Sequence, residues 1–232
     1  MSIFENIQAI RLQIRQAAEA AERDPGEILL CAATKMNDSS AVRQAIAAGV
    51  DCCGENRVQE LEAKLSENAY EGAPVHFIGH LQTNKVKKVV GKVALIQSVD
   101  SIHLLEAIDR EAARQGIRQD ILLEVNIGLE ESKSGFQPDQ IPSLVEDFAR
   151  FSNLRLKGLM AIPPICHKIG ENDKFFQKMY GLMVDIRAKK GDNVSVNILS
   201  MGMSGDFREA IRHGSTMIRL GTAIFGARDY SK

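Results

Sequence analysis

The chain has 232 residues, 44% of them hydrophobic, and 29 basic against 30 acidic side chains for a formal charge of −1. That is enough apolar material for a substantial core, and so even a balance leaves no electrostatic footprint for nucleic acid or an anionic membrane. Cys31, Cys52, Cys53 and Cys166 form no CxxC pair, no apolar run approaches the ~20 residues of a membrane span, and the N-terminus lacks a signal-peptide core, so a reduced, cytoplasmic protein is expected.

In chain order, Ile3, Ile7, Ile10 and Ile14 recur at helical spacing, and Asp24-Pro25-Gly26 stops that first helix. Residues 28–35 (ILLCAATK) read as a buried strand ending in Lys35. Residues 38–49 read as a helix capped by Asp38 and stopped by Gly49. Strands are then expected at 50–56, 75–79, 93–99, 120–128, 154–162, 194–200 and 216–221. Helices are expected between them, including 83–90, 103–116, 138–151, 174–190 and 205–214. Adjacent Cys52 and Cys53 should point to opposite faces of their strand.

Continuous apolar strands alternating with helices imply a parallel sheet covered on both faces. Eight such units favour closure into one (β/α)8 TIM-type barrel with an extra N-terminal helix. No linker-like stretch divides residues 1–232, so a single domain is expected. Chemistry in such a barrel belongs where strands end and βα loops begin.

The distinctive residues fall at those positions. Lys35 ends an apolar strand, where a partly desolvated amine can become an uncharged nucleophile. The segment SMGMSGD, 200–206, puts glycines and hydroxyls between a strand and a helix, a pattern suited to an anion, although Asp206 can equally cap that helix. Gly221-Thr222 offers a second such turn after the last strand. Arg219, just before it, can meet an aromatic nitrogen or pair with a carboxylate. The histidines, among them His76 and His80, show no metal-ligand spacing, and no metal is expected. The run KVKKVVGK, 85–92, reads as a solvated helix face.

The strings ATK at 33–35, GENRVQE at 54–60, HFIGHLQTNK at 76–85, EVNIGLEESKSGF at 124–136, GLMAIPP at 158–164 and LSMGMSGDFREAIRHGSTMIRLGTAIFG at 199–226 occur in order. Together they resemble the pyridoxal phosphate (PLP) homeostasis family, which is similar to the N-terminal barrel of alanine racemase. The resemblance implies pyridoxal 5′-phosphate as cofactor, with Lys35 as its Schiff-base lysine. It implies phosphate binding by Ser200, Gly221 and Thr222, with Met201 and Gly202 shaping the loop, and Arg219 facing the pyridine nitrogen. Asn56 would lie beside the ring, and His80 and Met160 would line the pocket. The loop 165–174 is not diagnostic.

An arginine cannot accept a proton, so it disfavours a protonated ring nitrogen and weakens the electron sink. The sequence ends at Lys232 without the second domain of the racemases, and Tyr70, Tyr180 and Tyr230 do not fall at expected strand ends. The expectation is therefore a monomeric, non-enzymatic PLP-binding protein of vitamin B6 homeostasis that delivers cofactor to apoenzymes. A PLP-dependent racemase or lyase is the alternative, and a barrel for a different phosphorylated ligand a more remote one.

Overall fold

The computed structural model describes residues 2–164, 168, 170–189 and 191–226. Its strands are β1 (Leu29–Ala33), β2 (Cys52–Glu55), β3 (Val75–Phe77), β4 (Leu95–Val99), β5 (Gln119–Val125), β6 (Leu154–Ala161), β7 (Val194–Ser200) and β8 (Met217–Leu220). Each pairs in parallel with the next, and β8 closes on β1. The helices are α1 (Ile3–Ala20), α2 (Ser39–Ala47), α3 (Val58–Ser66), α4 (Ile102–Gln115), α5 (Ile141–Glu146), α6 (Asp173–Arg187), α7 (Phe207–Arg212) and α8 (Thr222–Phe225). The fold is the (β/α)8 barrel expected from the sequence, with α1 as the extra helix. Its Ile7, Ile10 and Ile14 are buried, and Asn6 donates to the Ile224 carbonyl of α8 at 2.8 Å.

Two cores result from strands buried on both faces. The outer one, between sheet and helices, takes Cys53, Phe77, Ile96, Leu123 and Leu159, while the inner one takes Cys31, Cys52, Leu95, Leu122, Met160 and Met217. Cys52 and Cys53 do face opposite ways. Gly158 lies at an irregularity in both ladders of β6. Its φ is +151°, and a Cβ there would stand 1.8 Å from the Ile198 carbonyl oxygen, so only glycine lets β6 and β7 meet.

Local chemistry explains the element ends. Asp38 caps α2 through Ala41 N–H at 2.8 Å, and Ser101 caps α4, which Gly116 terminates in the left-handed conformation. The expected helix at 83–90 is instead a 3-10 segment, Thr83–Lys88. Gln82 gives it no capping side-chain bond, and three lysines crowd its last turn. The expected helix at 138–151 is broken. Pro138–Gln140 and Phe148–Arg150 are 3-10 turns flanking the six-residue α5, and Asp147, with ψ of 4°, interrupts the α-helical run. No helix among the described residues is long and apolar enough to cross a membrane.

Candidate functional site

Lys35 does not end β1. The strand stops at Ala33, and Lys35 sits two residues on, half-buried in a turn whose next residue, Met36, has φ of +62°. That turn is anchored from outside the barrel. Thr34 N–H donates to the Gly54 carbonyl at 2.9 Å, and Lys64 Nζ donates to the Thr34 carbonyl at 2.8 Å. Glu55 Oε1 accepts from both Thr34 Oγ1 and Lys64 Nζ at 2.5 Å. Glu55 and Lys64 form a buried ion pair, so Thr34 is clamped from both sides of its peptide.

The other expected residues converge on the same end of the barrel. Asn56 follows β2, and its Oδ1 is buried without a hydrogen-bond partner. His80 follows β3, exposed, with Nδ1 3.1 Å from the Asp100 carboxylate at the end of β4. Met160 of β6 is buried in register with Glu124 of β5 and Ser200 of β7. Arg219 of β8 is buried and donates to Ser200 Oγ at 2.6 Å and to the Ala161 carbonyl at 2.9 Å. Burial lowers its pKa, while Cys31, Glu124 and Asp206 oppose the shift.

The two turns after β7 and β8 touch, Ala223 N–H donating to Ser204 Oγ at 3.3 Å. Gly202 has φ of +95°, and a Cβ on it would lie 2.6 Å from that of Ala210. Glycine is thus what lets the first turn fold against α7. Met201 is buried beside it. Asp206 accepts from Met203 N–H at 2.7 Å and from Asn172, so its carboxylate fastens the loop. At Gly221 an added Cβ would approach Ala33 no closer than 3.5 Å. Gly221 and the end of β1 that leads into the Lys35 turn are therefore neighbours at ordinary van der Waals distance. Thr222 is exposed at the start of α8.

A family model described as the N-terminal domain of alanine racemase matches residues 6–229. The pyridoxal phosphate homeostasis protein of Pseudomonas aeruginosa is 38% identical over 99% of this chain and 97% of its own length. The chain belongs to the pyridoxal phosphate homeostasis protein family. A solved relative, PipY of Synechococcus elongatus with PLP bound, has a TM-score of 0.82 at 30% identity, covering 97% of this chain and all (100%) of PipY. Alanine racemase of Clostridium difficile, with a TM-score of 0.68 and 14% identity over 97% of this chain and 57% of its own, shares the fold alone.

The residues at the mouth fit the cofactor bound by that homeostasis-family relative. They offer a primary amine, an amide with an unpaired buried oxygen, a guanidinium and a glycine turn. An aldehyde, a ring acceptor and a phosphate are the groups such a set suits.

Two features escape sequence patterning. Glu124, inside a string that carries the family resemblance, faces the barrel interior. Burial first and Asp100 second raise its pKa to about 7, against the pull of Arg219 and His80. Below it runs a polar chain: Arg219 donates to Ser200 Oγ, Ser200 to Gln97 Oε1 at 2.7 Å, and Gln97 Nε2 to His76 Nδ1 at 2.9 Å. His76 ends near Cys31 and Cys52, the three ligand-type atoms lying within 4.8 Å of one another. Burial pushes His76 down to about 4, so the ring is neutral. With Gln97 donating to Nδ1, its proton sits on Nε2. Cys52 is pushed well up, first by its bond to Cys31 and then by burial. His76 and the two thiols complete a buried polar layer. Tyr70 is buried beside Glu55 outside the barrel, Tyr180 is exposed on α6, and Tyr230, Cys166 and His167 lie outside the described residues.

Proposed function

We propose that this chain binds pyridoxal 5′-phosphate, with Lys35 as the Schiff-base lysine, and holds it for vitamin B6 homeostasis and, indirectly, amino-acid metabolism, without catalysing a reaction. The observation that carries this reading is the apposition of Gly221 to Ala33, which brings the glycine turn after β8 next to the end of β1 that leads into Lys35. The bound cofactor supplies an aldehyde that condenses with a primary amine. Lys35 provides the amine. The 200–206 turn, with Ser200, Met201 and Gly202, joins Gly221 and Thr222 as the phosphate cradle. Arg219 faces the ring nitrogen and cannot take a proton from it. Asn56 orients the ring, and His80 and Met160 bound the pocket. The protein works as a cytoplasmic monomer that passes cofactor to PLP-dependent apoenzymes and uses neither nucleic acid nor membrane.

The test is the visible spectrum of purified protein before and after borohydride. An absorbance band that reduction converts to a stable adduct on Lys35 supports the reading. Lys35→Ala should abolish the adduct while phosphate-dependent binding persists. A colourless protein that fails to bind added cofactor refutes it. A PLP-dependent racemase or lyase is favoured by one observation, the placement of two proton-carrying groups, Lys35 in the turn after β1 and Glu124 on β5, the strand opposite β1 around the barrel. Sustained amino-acid turnover at roughly 1 s⁻¹ or more, a typical enzyme rate, would establish that alternative.

A further inference from the structure

Glu124 is a carboxyl group with no evident structural work. It alternates along β5 with Leu123 and Val125, which enter the outer core, and follows Leu122, which enters the inner one. Its register partner is the inward-facing Met160. The side chain therefore projects into the mouth from the strand opposite β1. Among the described residues its side chain makes no hydrogen bond or ion pair, and the charged groups that act on it, Asp100, Arg219 and His80, have other partners. Asp100, from the end of β4, is a like charge paired with His80 of the loop after β3. Arg219, from β8, spends its two terminal nitrogens on Ser200 and the Ala161 carbonyl. In the loop after β5, Lys133 pairs with Glu130 at 2.5 Å and donates to the Pro163 carbonyl. Its partner across the β5–β6 ladder is the apolar Met160. Lys35 lies across the mouth.

We infer that Glu124 is a ligand-binding residue that takes up a proton as a phosphorylated ligand fills the mouth, and meets that ligand as a neutral acid. The inference deepens the cofactor reading and rests on it. A dianionic phosphate entering this enclosure adds negative charge and removes water. Both changes disfavour a carboxylate that already has Asp100 beside it and no donor of its own. Protonated, Glu124 turns from acceptor to hydrogen-bond donor toward the ligand. Its raised pKa in the empty barrel is consistent with this, since little further shift is required.

The test is calorimetric titration of the whole protein with pyridoxine 5′-phosphate in buffers of different ionisation enthalpy. That probe has an alcohol in place of the aldehyde, so imine chemistry at Lys35 does not contribute protons. At about pH 8 the native protein should take up ~1 proton more per ligand bound than its Glu124 variants, which share any proton that the ligand's own ring gains or loses. Glu124→Gln and the apolar isostere Glu124→Met should bind with that uptake lost, and their affinity should no longer fall as pH rises. Equal proton counts in native protein and variants, with binding intact, overturn the inference and leave the cofactor reading standing. Failure of the native protein to bind both this probe and pyridoxal 5′-phosphate overturns both. A variant that does not fold is excluded by circular dichroism, and the other variant then decides.

Discussion

Lys64→Met tests whether the clamp behind Lys35 is a coupled buried ion pair. The Lys64 and Glu55 side chains are only 7% and 0% exposed, and Lys64 Nζ bonds both Glu55 Oε1 and the Thr34 carbonyl. Methionine keeps the stem and removes the charge, leaving Glu55 as an uncompensated buried carboxylate with only Thr34 Oγ1 donating to it. Breaking one partner of such a pair costs about 3–5 kcal/mol, whereas replacing both by apolar groups of similar volume is often nearly neutral. The double variant Glu55→Met/Lys64→Met should therefore recover most of the loss. Thr34 Oγ1 then keeps its second acceptor, the Gly54 carbonyl at 3.2 Å. Urea unfolding of native protein, both single variants and the double gives the coupling energy. Cofactor binding, measured in parallel, should weaken in the single variant, because the turn carrying Lys35 loses one of its anchors. A cost below about 1 kcal/mol for Lys64→Met, or a double variant no more stable than it, would refute the argument.

Glu124→Gln should stabilise the empty protein at alkaline pH. Below about pH 4.5 the carboxyl is protonated folded and unfolded, so the variant gains nothing there. As pH rises the unfolded chain ionises first, and the penalty grows until about pH 7 and then stays constant. A shift from 4.5 to about 7 corresponds to roughly 3 kcal/mol as an upper value, read as a rising gap in urea midpoints. Gly202→Ala forces a side chain onto a backbone with φ of +95° and into contact with Ala210. The expected loss is about 2–4 kcal/mol, with phosphate binding weakened more than Lys35 reactivity, checked by thermal melting and by binding of inorganic phosphate. Gln97→Leu strips the buried acceptor of Ser200 and the donor to His76, and should cost about 2–4 kcal/mol for the two orphaned groups in the same melting assay.

The barrel is legible in the sequence because each strand is buried on both faces and so reads as an unbroken apolar run. The strand ends, and with them Asn56, Ser200, Arg219 and Gly221, follow directly. Lys35 is placed two residues early, because Thr34, fully buried, continues the run that the ladder has already left. The helix expected at 138–151 has the right periodicity, but its interruption at Asp147 is a backbone event that no residue type announces. Gln97, His76, Cys31 and Cys52 lie on four different strands about twenty residues apart. Closure of the barrel makes them neighbours, and no spacing rule reaches across it. Glu124 is hidden for a related reason. In a strand with two apolar faces, alternation does not say which face a lone charge takes.

The polar chain under the mouth bears on what kind of ligand the site suits. Arg219 is buried and charged, yet it is held by a hydroxyl and a carbonyl rather than by a carboxylate. Glu124 and Asp206 act on it through space without bonding to it. A buried guanidinium left unneutralised is costly unless its donors are spent. Ser200 can serve it only because its own proton goes to Gln97, whose amide is in turn absorbed by a neutral His76 and the Met217 sulfur. The relay thus keeps a fixed positive charge at the floor of the mouth with no carboxylate bonded to it. A ring nitrogen approaching that floor finds a guanidinium that donates a hydrogen bond without giving up its proton, which favours retention of an unreacted aromatic ring over its use as an electron sink. Replacing Ser200 by a carboxylate would neutralise the arginine, break the relay at its first link, and remove that bias.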